Sequence, residues 1–86
     1  MRSIKSTTQT YRILVQPDVR TGTGTPAYTA FVPTLGIASD GDTIDEALAS
    51  AKEAIEVFVH SLKLDGLDIP HEHEGPYLVG SAQVRI

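Results

Sequence analysis

Two groups of side chains in this 86-residue sequence are of types that could do chemistry. The first is a set of carboxylates around residue 43, made up of Asp40, Asp42, Asp45 and Glu46. Clustered carboxylates can attract a basic surface, and they also favour the positive end of a helix dipole. The second is the run His71-Glu72-His73-Glu74, in which imidazoles alternate with carboxylates, the ligand types that zinc accepts.

The alternation of His71 and His73 in an extended segment would place both rings on one side. A zinc site still needs a third protein ligand for catalysis, or a fourth for a structural role. His60 is the only other histidine, and helical periodicity puts it on a solvated face. We therefore expect a solvated acidic linker here, with no metal and no cofactor.

Catalytic residues are not evident in the sequence. The absence of cysteine excludes a disulfide scaffold, a thiolate zinc site and a cysteine nucleophile. There is no Gly-x-Ser-x-Gly elbow. Asp40 and Asp42 could mimic a metal-bound acidic pair, but no further acids project from neighbouring strands. We expect that the protein is not an enzyme.

The segment Thr21-Gly-Thr-Gly-Thr-Pro26 could be interpreted as a phosphate cradle or as a hairpin turn. A phosphate cradle requires a helix that opens directly after it. Strand-forming residues flank the segment instead, over residues 11–19 and 27–32. The hairpin is therefore the preferred prediction.

A long amphipathic helix is predicted from residue 44 to about residue 65. Thr43 and Glu46 have the spacing of a capping box, in which each side chain bonds the other's free backbone N–H. Gly66 suits the left-handed conformation that follows a helix C-terminus. The apolar residues recur every three or four positions on one face: Ile44, Ala47, Leu48, Ala51, Ile55, Phe58, Val59 and Leu62.

The element order predicts an α+β fold, β-β-β-α-β, in which residues 11–86 form one domain after a flexible arm of residues 1–10. The last strand would run from Tyr77 to Ile86. The architecture is a two-layer sandwich of a three- to four-stranded, mainly antiparallel sheet and one long helix on one face. The other face must meet solvent, another copy or a different protein, so we expect a homo-oligomer, a dimer or a tetramer. The candidates for this uncovered face are Tyr11, Tyr28, Val32 and Tyr77.

The net charge of −4 is divided unevenly, with +3 on residues 1–39 and −7 on residues 40–86. The few bases do not form the dense face by which proteins grip phosphates, so we expect no direct nucleic-acid ligand. The acidic half suits a basic protein partner. No apolar run approaches the roughly 20 residues of a membrane span, and no secretory signal is evident. We expect a cytoplasmic protein without a membrane partner.

Three motifs occur in order along the chain: the cap Gly41-Asp42-Thr43 with Glu46-Ala47, the helical run Ala51–Ala54, and the exit Gly66–Pro70. Over roughly residues 11–86 they resemble the HicB-like antitoxin family, in the standalone form of UPF0150 type. Family members carry Pro-Asp-Leu-Pro-Gly before the cap. Here Pro33-Thr34-Leu35-Gly36 lacks the Asp and the second Pro, which would shorten the strand-to-helix connection by one residue.

The resemblance implies a degenerate ribonuclease-H-like or ferredoxin-like module that dimerises and neutralises a small basic, mRNA-cleaving toxin of HicA type. Many family members add a C-terminal DNA-binding domain, which we do not expect here. The candidate partner-binding residues are Asp40, Asp42, Asp45 and Glu46, unless they serve only the helix dipole. The alternative hypothesis is a small-molecule- or metal-responsive orphan domain that uses His71, His73 and the free sheet face.

Overall fold

Three antiparallel strands form the sheet of the computed structural model, which describes residues 8–19, 22, 24–73 and 75–86. They are β1 (Leu14–Val19), β2 (Pro26–Val32) and β3 (Ile37–Gly41), paired in the order β1-β2-β3. The first two strands form the predicted hairpin, since β1 pairs with β2 along its whole length. The turn residues Arg20, Thr21 and Thr23 lie outside the described residues, as do residues 1–7 of the predicted arm.

The segment Pro33–Gly36 joins β2 to β3. The Gly36 N–H donates to the carbonyl of Val32 at 2.9 Å, which closes the turn. The segment is therefore not the strand-to-helix connection that the sequence pattern predicted, and that prediction was wrong. The helix is reached only after β3, whose five residues carry few large side chains and gave no clear strand pattern of their own.

The helix α1 spans Ile44–Leu64, and both of its predicted ends are confirmed. At its start, the Glu46 N–H donates to Oγ1 of Thr43 at 3.1 Å. The Glu46 carboxylate accepts in return from the N–H of Asp42 at 3.0 Å, one residue earlier than in a standard capping box. At its end, the Leu67 N–H donates to the carbonyl of Leu62 at 2.9 Å, while Gly66 has a φ of 68°. This is a Schellman motif.

The core lies between α1 and one face of the sheet, and it is small. Its buried side chains are Ala30, Val32, Leu35, Ala47 and Ala51. Val32 is fully buried, so the prediction that it lies on the uncovered face was wrong. Val32 shares its parity with Ala30, and both therefore face the helix. Tyr11 and Tyr28 also pack against this core rather than belonging to an uncovered surface.

The uncovered face of the sheet carries a different apolar pair. Leu14 lies opposite Phe31, with exposed fractions of 52% and 42%. Phe31 has the opposite parity to Val32 along β2, and Leu14 lies on the same face as its partner Phe31, so both side chains are on the face away from α1. The prediction that one helix leaves one sheet face open is therefore confirmed, with these residues in place of Val32.

Residues 77–86 form no strand, so the prediction of a fourth strand there was wrong. Their alternation specifies which side chains could share a face, but a strand also needs a neighbouring edge with which to exchange hydrogen bonds. Among the residues that the structure describes, the α+β class and the antiparallel sheet with one helix are confirmed, and the sheet has three strands. No helix in the described part of the chain combines the length and the apolar character that a membrane crossing requires.

Candidate functional site

An acidic depression lies where β3 meets the start of α1. It has a volume of about 400 Å³, and four acidic residues are among those that line it: Asp40, Asp42, Glu46 and Glu53. All four of these side chains are exposed. The depression therefore presents negative charge to solvent at the end of a helix whose backbone dipole is positive.

The depression forms because the end of β3 lies very close to the first turn of α1. A Cβ built on Gly41 would lie 2.5 Å from the backbone nitrogen of Ala47 and 2.7 Å from the carbonyl carbon of Glu46. Only glycine permits this approach, since any other residue would force strand and helix apart. The contact holds the end of β3, where Asp40 lies, against the start of α1.

Three of the four predicted partner-binding residues, Asp40, Asp42 and Glu46, line this depression. Asp45 does not, although it lies in the same first turn of α1. Glu53 also lines the depression, although it was not among the predicted partner-binding residues. The signal that identifies Glu53 is its spacing from Glu46, because seven residues make nearly two helical turns and bring both side chains to one face.

A second cluster forms where the segment after α1 crosses the end of the sheet. The Glu72 carboxylate accepts from the Arg12 backbone N–H at 3.0 Å and from the hydroxyl of Thr34. The Tyr11 hydroxyl donates to the carbonyl of Pro70 at 2.6 Å. Glu72 thus ties the chain after the helix to the start of β1 and to the β2–β3 turn. We call this arrangement the Glu72 latch.

The ionisation of the latch reflects these contacts. The hydrogen bond from Thr34, followed by that from the Arg12 N–H, holds the pKa of Glu72 below its ordinary value of 4.5. Both donors favour the charged carboxylate, and the positive charge of Arg12 acts in the same direction. Partial burial, and then the charge of Glu72, raise the pKa of Tyr11 above its ordinary value of 10.0. At neutral pH the Glu72 carboxylate of the latch is therefore ionised, and the hydroxyl and backbone N–H that donate to it are uncharged.

The histidines flanking Glu72 are not gathered around a metal position. His73 makes an edge-to-face contact with Tyr77, with ring centroids 5.4 Å apart, and Arg12 stacks over the same Tyr77 ring at 3.7 Å. His71 is exposed. Across the part of the chain that the structure describes, no three His, Cys, Asp or Glu side chains form a group that could hold a metal ion. Glu74 lies outside that part.

Sequence analysis did not identify the latch. Its bonds join residues far apart in the chain: Thr34 is 38 positions from Glu72, and Arg12 is 60 positions away. Thr34 marked a departure from the usual Asp of the HicB-like pattern. In the structure the hydroxyl of Thr34 donates to a carboxylate, which an ionised Asp at this position could not do.

Comparison with known proteins identifies the family of the chain. No protein-family model matches it, and no solved structure matches it. The chain is 36% identical, over 63 residues, to the UPF0150 protein ssr1765 of Synechocystis sp.. The aligned region covers 72% of this chain and 73% of that protein. With this identity along most of both sequences, the chain belongs to the UPF0150 family.

Proposed function

We propose that this chain is a protein-interaction module of the antitoxin type, which binds and neutralises a small, basic, mRNA-cleaving toxin of the HicA type. The observation that carries the proposal is the gathering of acidic side chains around one depression beside the start of α1. Carboxylates concentrated in one place create a focused negative potential. Such a potential accelerates and orients the docking of a basic protein.

The charge of the whole chain supports this role. Residues 40–86 carry a net charge of −7, and the depression lies within that part. A protein that cleaves RNA needs a basic surface to hold the phosphate backbone. An acidic module that covers this surface prevents RNA from binding. This mode of inhibition needs no covalent chemistry. Membership of the UPF0150 family and the resemblance of the cap, helix and exit motifs to HicB-like antitoxins support the same role.

The test uses a purified HicA-type protein from the source genome as the probe. Its dissociation constant with the full chain is measured by calorimetry, and its cleavage of a labelled RNA is measured with and without the chain. The test variant is Asp42→Lys combined with Glu53→Lys, which reverses two charges of the depression. The control is Asp65→Lys combined with Asp68→Lys, which makes the same charge change beyond the end of α1.

We expect the depression variant to bind at least about tenfold more weakly than the control variant, because only the first removes charges from the contact itself. RNA cleavage should return in parallel with the loss of binding. Equal losses in the two variants would show that only net charge matters and would contradict the assignment of the depression. Wild-type chain that neither binds the probe at micromolar concentration nor inhibits it would contradict the proposed function.

A further inference from the structure

The acidic depression continues along α1 into a second, larger groove. This groove has a volume of about 690 Å³, and it shares Ser50 and Glu53 with the depression. Its other end is apolar and includes Ile37, Val57 and Phe58. Val57 is 68% exposed there. The two hollows therefore form one surface that is acidic at one end and apolar at the other, and we call it the β3 groove.

One wall of the β3 groove is a stripe of α1. Its residues recur at steps of three or four positions, which places them on one side of the helix: Glu46, Ser50, Glu53, Val57 and Ser61. The other wall is β3, which likewise changes from Ile37 at one end to Asp40 near the other. Because the first turn of α1 touches Gly41, the acidic ends of the two walls lie together.

The groove lies along an edge of the sheet. Among the described residues, those that line it from the sheet belong to β3 and none to β2. In that part of the chain β3 pairs only with β2, so no strand lies against its other edge. An extended segment that pairs with such an edge obtains main-chain hydrogen bonds, and its alternate side chains enter the pockets beside the edge.

The direction of an added strand follows from the sheet. Every described pairing is antiparallel, and antiparallel strands tolerate a face open to water, whereas parallel strands are normally covered on both faces. In this direction the first residue of the added strand lies opposite Gly41, and the fifth lies opposite Ile37. Both positions have the parity of the Ile37–Val32 pair, so their side chains point towards α1.

We infer that the basic partner adds one of its own strands to β3 in the antiparallel direction, with Lys or Arg at the first position and Val, Ile or Leu at the fifth. The basic side chain lies by the carboxylates of Glu46 and Glu53, and the apolar one lies against Val57. Charge complementarity fixes one end of the strand, and apolar burial fixes the other. The inference rests on the proposed antitoxin role, because it specifies how the partner of that role is held.

Two other occupants match the groove less well. A second copy carries a net charge of −4, so it brings no excess of positive charge to the acidic end. The chain's own residues 78–86 begin with Leu78 and Val79 and contain one base, Arg85. Paired antiparallel, this segment would place its apolar start at the acidic end of the groove and its base towards the apolar end.

Amide hydrogen exchange, followed residue by residue by NMR, tests the inference with the HicA-type protein as the probe. Saturating probe should slow exchange at alternate residues of β3 at least about tenfold, because alternate N–H groups face the added strand. Binding without this alternation would mean contact through side chains alone and would overturn the inference. Slow exchange of the same amides without probe would also overturn it, since the edge would already be paired within the chain or between copies.

Binding by variants tests the apolar end of the groove. Val57→Asn should raise the dissociation constant of the probe about tenfold or more, because it places an amide where the partner's apolar side chain is buried. Valine and asparagine have similar helix propensities, so α1 is retained. Leu64→Asn is the control, at a position on α1 that is 74% exposed and does not line the groove. It should change the constant less than about threefold, and equal effects of the two variants would overturn the inference.

Cross-linking gives the direction of the added strand. Since the chain has no cysteine, Ser50→Cys and Ser61→Cys carry one thiol each, to which a benzophenone maleimide is attached. The two positions are about 16 Å apart along α1, the length of roughly five strand residues. Both should link to one segment of the probe, and the residue linked from position 61 should come later in the probe sequence. The reverse order, or links to two separate segments, would overturn the inference.

Failure of this inference is distinguishable from failure of the proposed function. A wild-type chain that binds and inhibits the probe without alternate protection of β3 overturns the inference and leaves the proposed function standing. A wild-type chain that does not bind the probe at micromolar concentration overturns both.

Discussion

At the scale of single residues, Glu72 joins parts of the chain that are far apart in sequence. Its two carboxylate oxygens accept from different segments, one from the hydroxyl of Thr34 and one from the N–H of Arg12. Hydrogen bonds to a charged acceptor are stronger than those between neutral groups. The ionised form of Glu72 is therefore the form that keeps the post-helix segment against the sheet.

We predict that the Glu72 latch weakens on acidification. The folded-state pKa of Glu72 lies below its ordinary value of 4.5. The contribution of the latch is therefore fully present above that ordinary value, and it is lost as the pH falls through the folded-state pKa. The chemical shift of the Arg12 amide proton, followed by NMR during an acid titration, should report a midpoint below 4.5.

The control for this titration is Glu72→Gln, whose side chain does not ionise and in which the transition of the Arg12 amide should be absent. A transition that persists in Glu72→Gln would assign it to another group. A wild-type midpoint above the ordinary glutamic acid value would contradict the hydrogen-bonded arrangement.

At the scale of elements, the decisive contact is between the end of β3 and the first turn of α1. The backbone of Gly41 approaches the backbone of Ala47 and Glu46 so closely that no side chain fits between them. Backbone atoms cannot move aside as a flexible side chain can. The position of the acidic depression therefore depends on one glycine, because that glycine lets the end of β3 approach the first turn of α1.

We predict that Gly41→Ala lowers the free energy of unfolding by about 1–3 kcal/mol, the cost of forcing extra volume into a packed contact. Urea denaturation followed by circular dichroism measures the change. Gly80→Ala is the matched control, because a Cβ on Gly80 meets nothing within 4 Å. Loss of stability equal in both variants would contradict the close contact at Gly41.

At the scale of the whole molecule, stability depends on few large side chains. Among the described residues, three of the five that form the core cluster are alanines, and Val32 is the largest side chain that is fully buried. Apolar burial per side chain is accordingly low, which limits the hydrophobic stabilisation of one copy.

We predict that Val32→Ala lowers the free energy of unfolding by about 2 kcal/mol, through lost transfer free energy and the cavity left behind. Val19→Ala makes the same chemical change at a position that is 60% exposed, and should cost less than about 0.5 kcal/mol. Thermal and urea unfolding measure both. Similar losses in the two variants would mean that Val32 does not lie in the core described here.

The sequence by itself determined the helix, the hairpin and part of the acidic depression. The limits of α1 follow from Thr43, Glu46 and Gly66, whose capping bonds span only a few residues and need no distant partner. The spacing of acids around Thr43 likewise placed three of them in the depression. Glu53 was overlooked although its helical spacing from Glu46 indicates the same face.

The tertiary structure decided the features that require two distant segments to meet. The burial of Val32 depends on which sheet face the helix covers. Alternation along one strand separates the two faces but does not determine which of them packs against the helix. The latch joins Glu72 to Thr34 and Arg12, contacts that carry no local signal in the sequence. Residues 77–86 have a strand pattern without a strand, because a strand must exchange hydrogen bonds with the edge of another strand, and alternation within one segment does not determine where that edge lies.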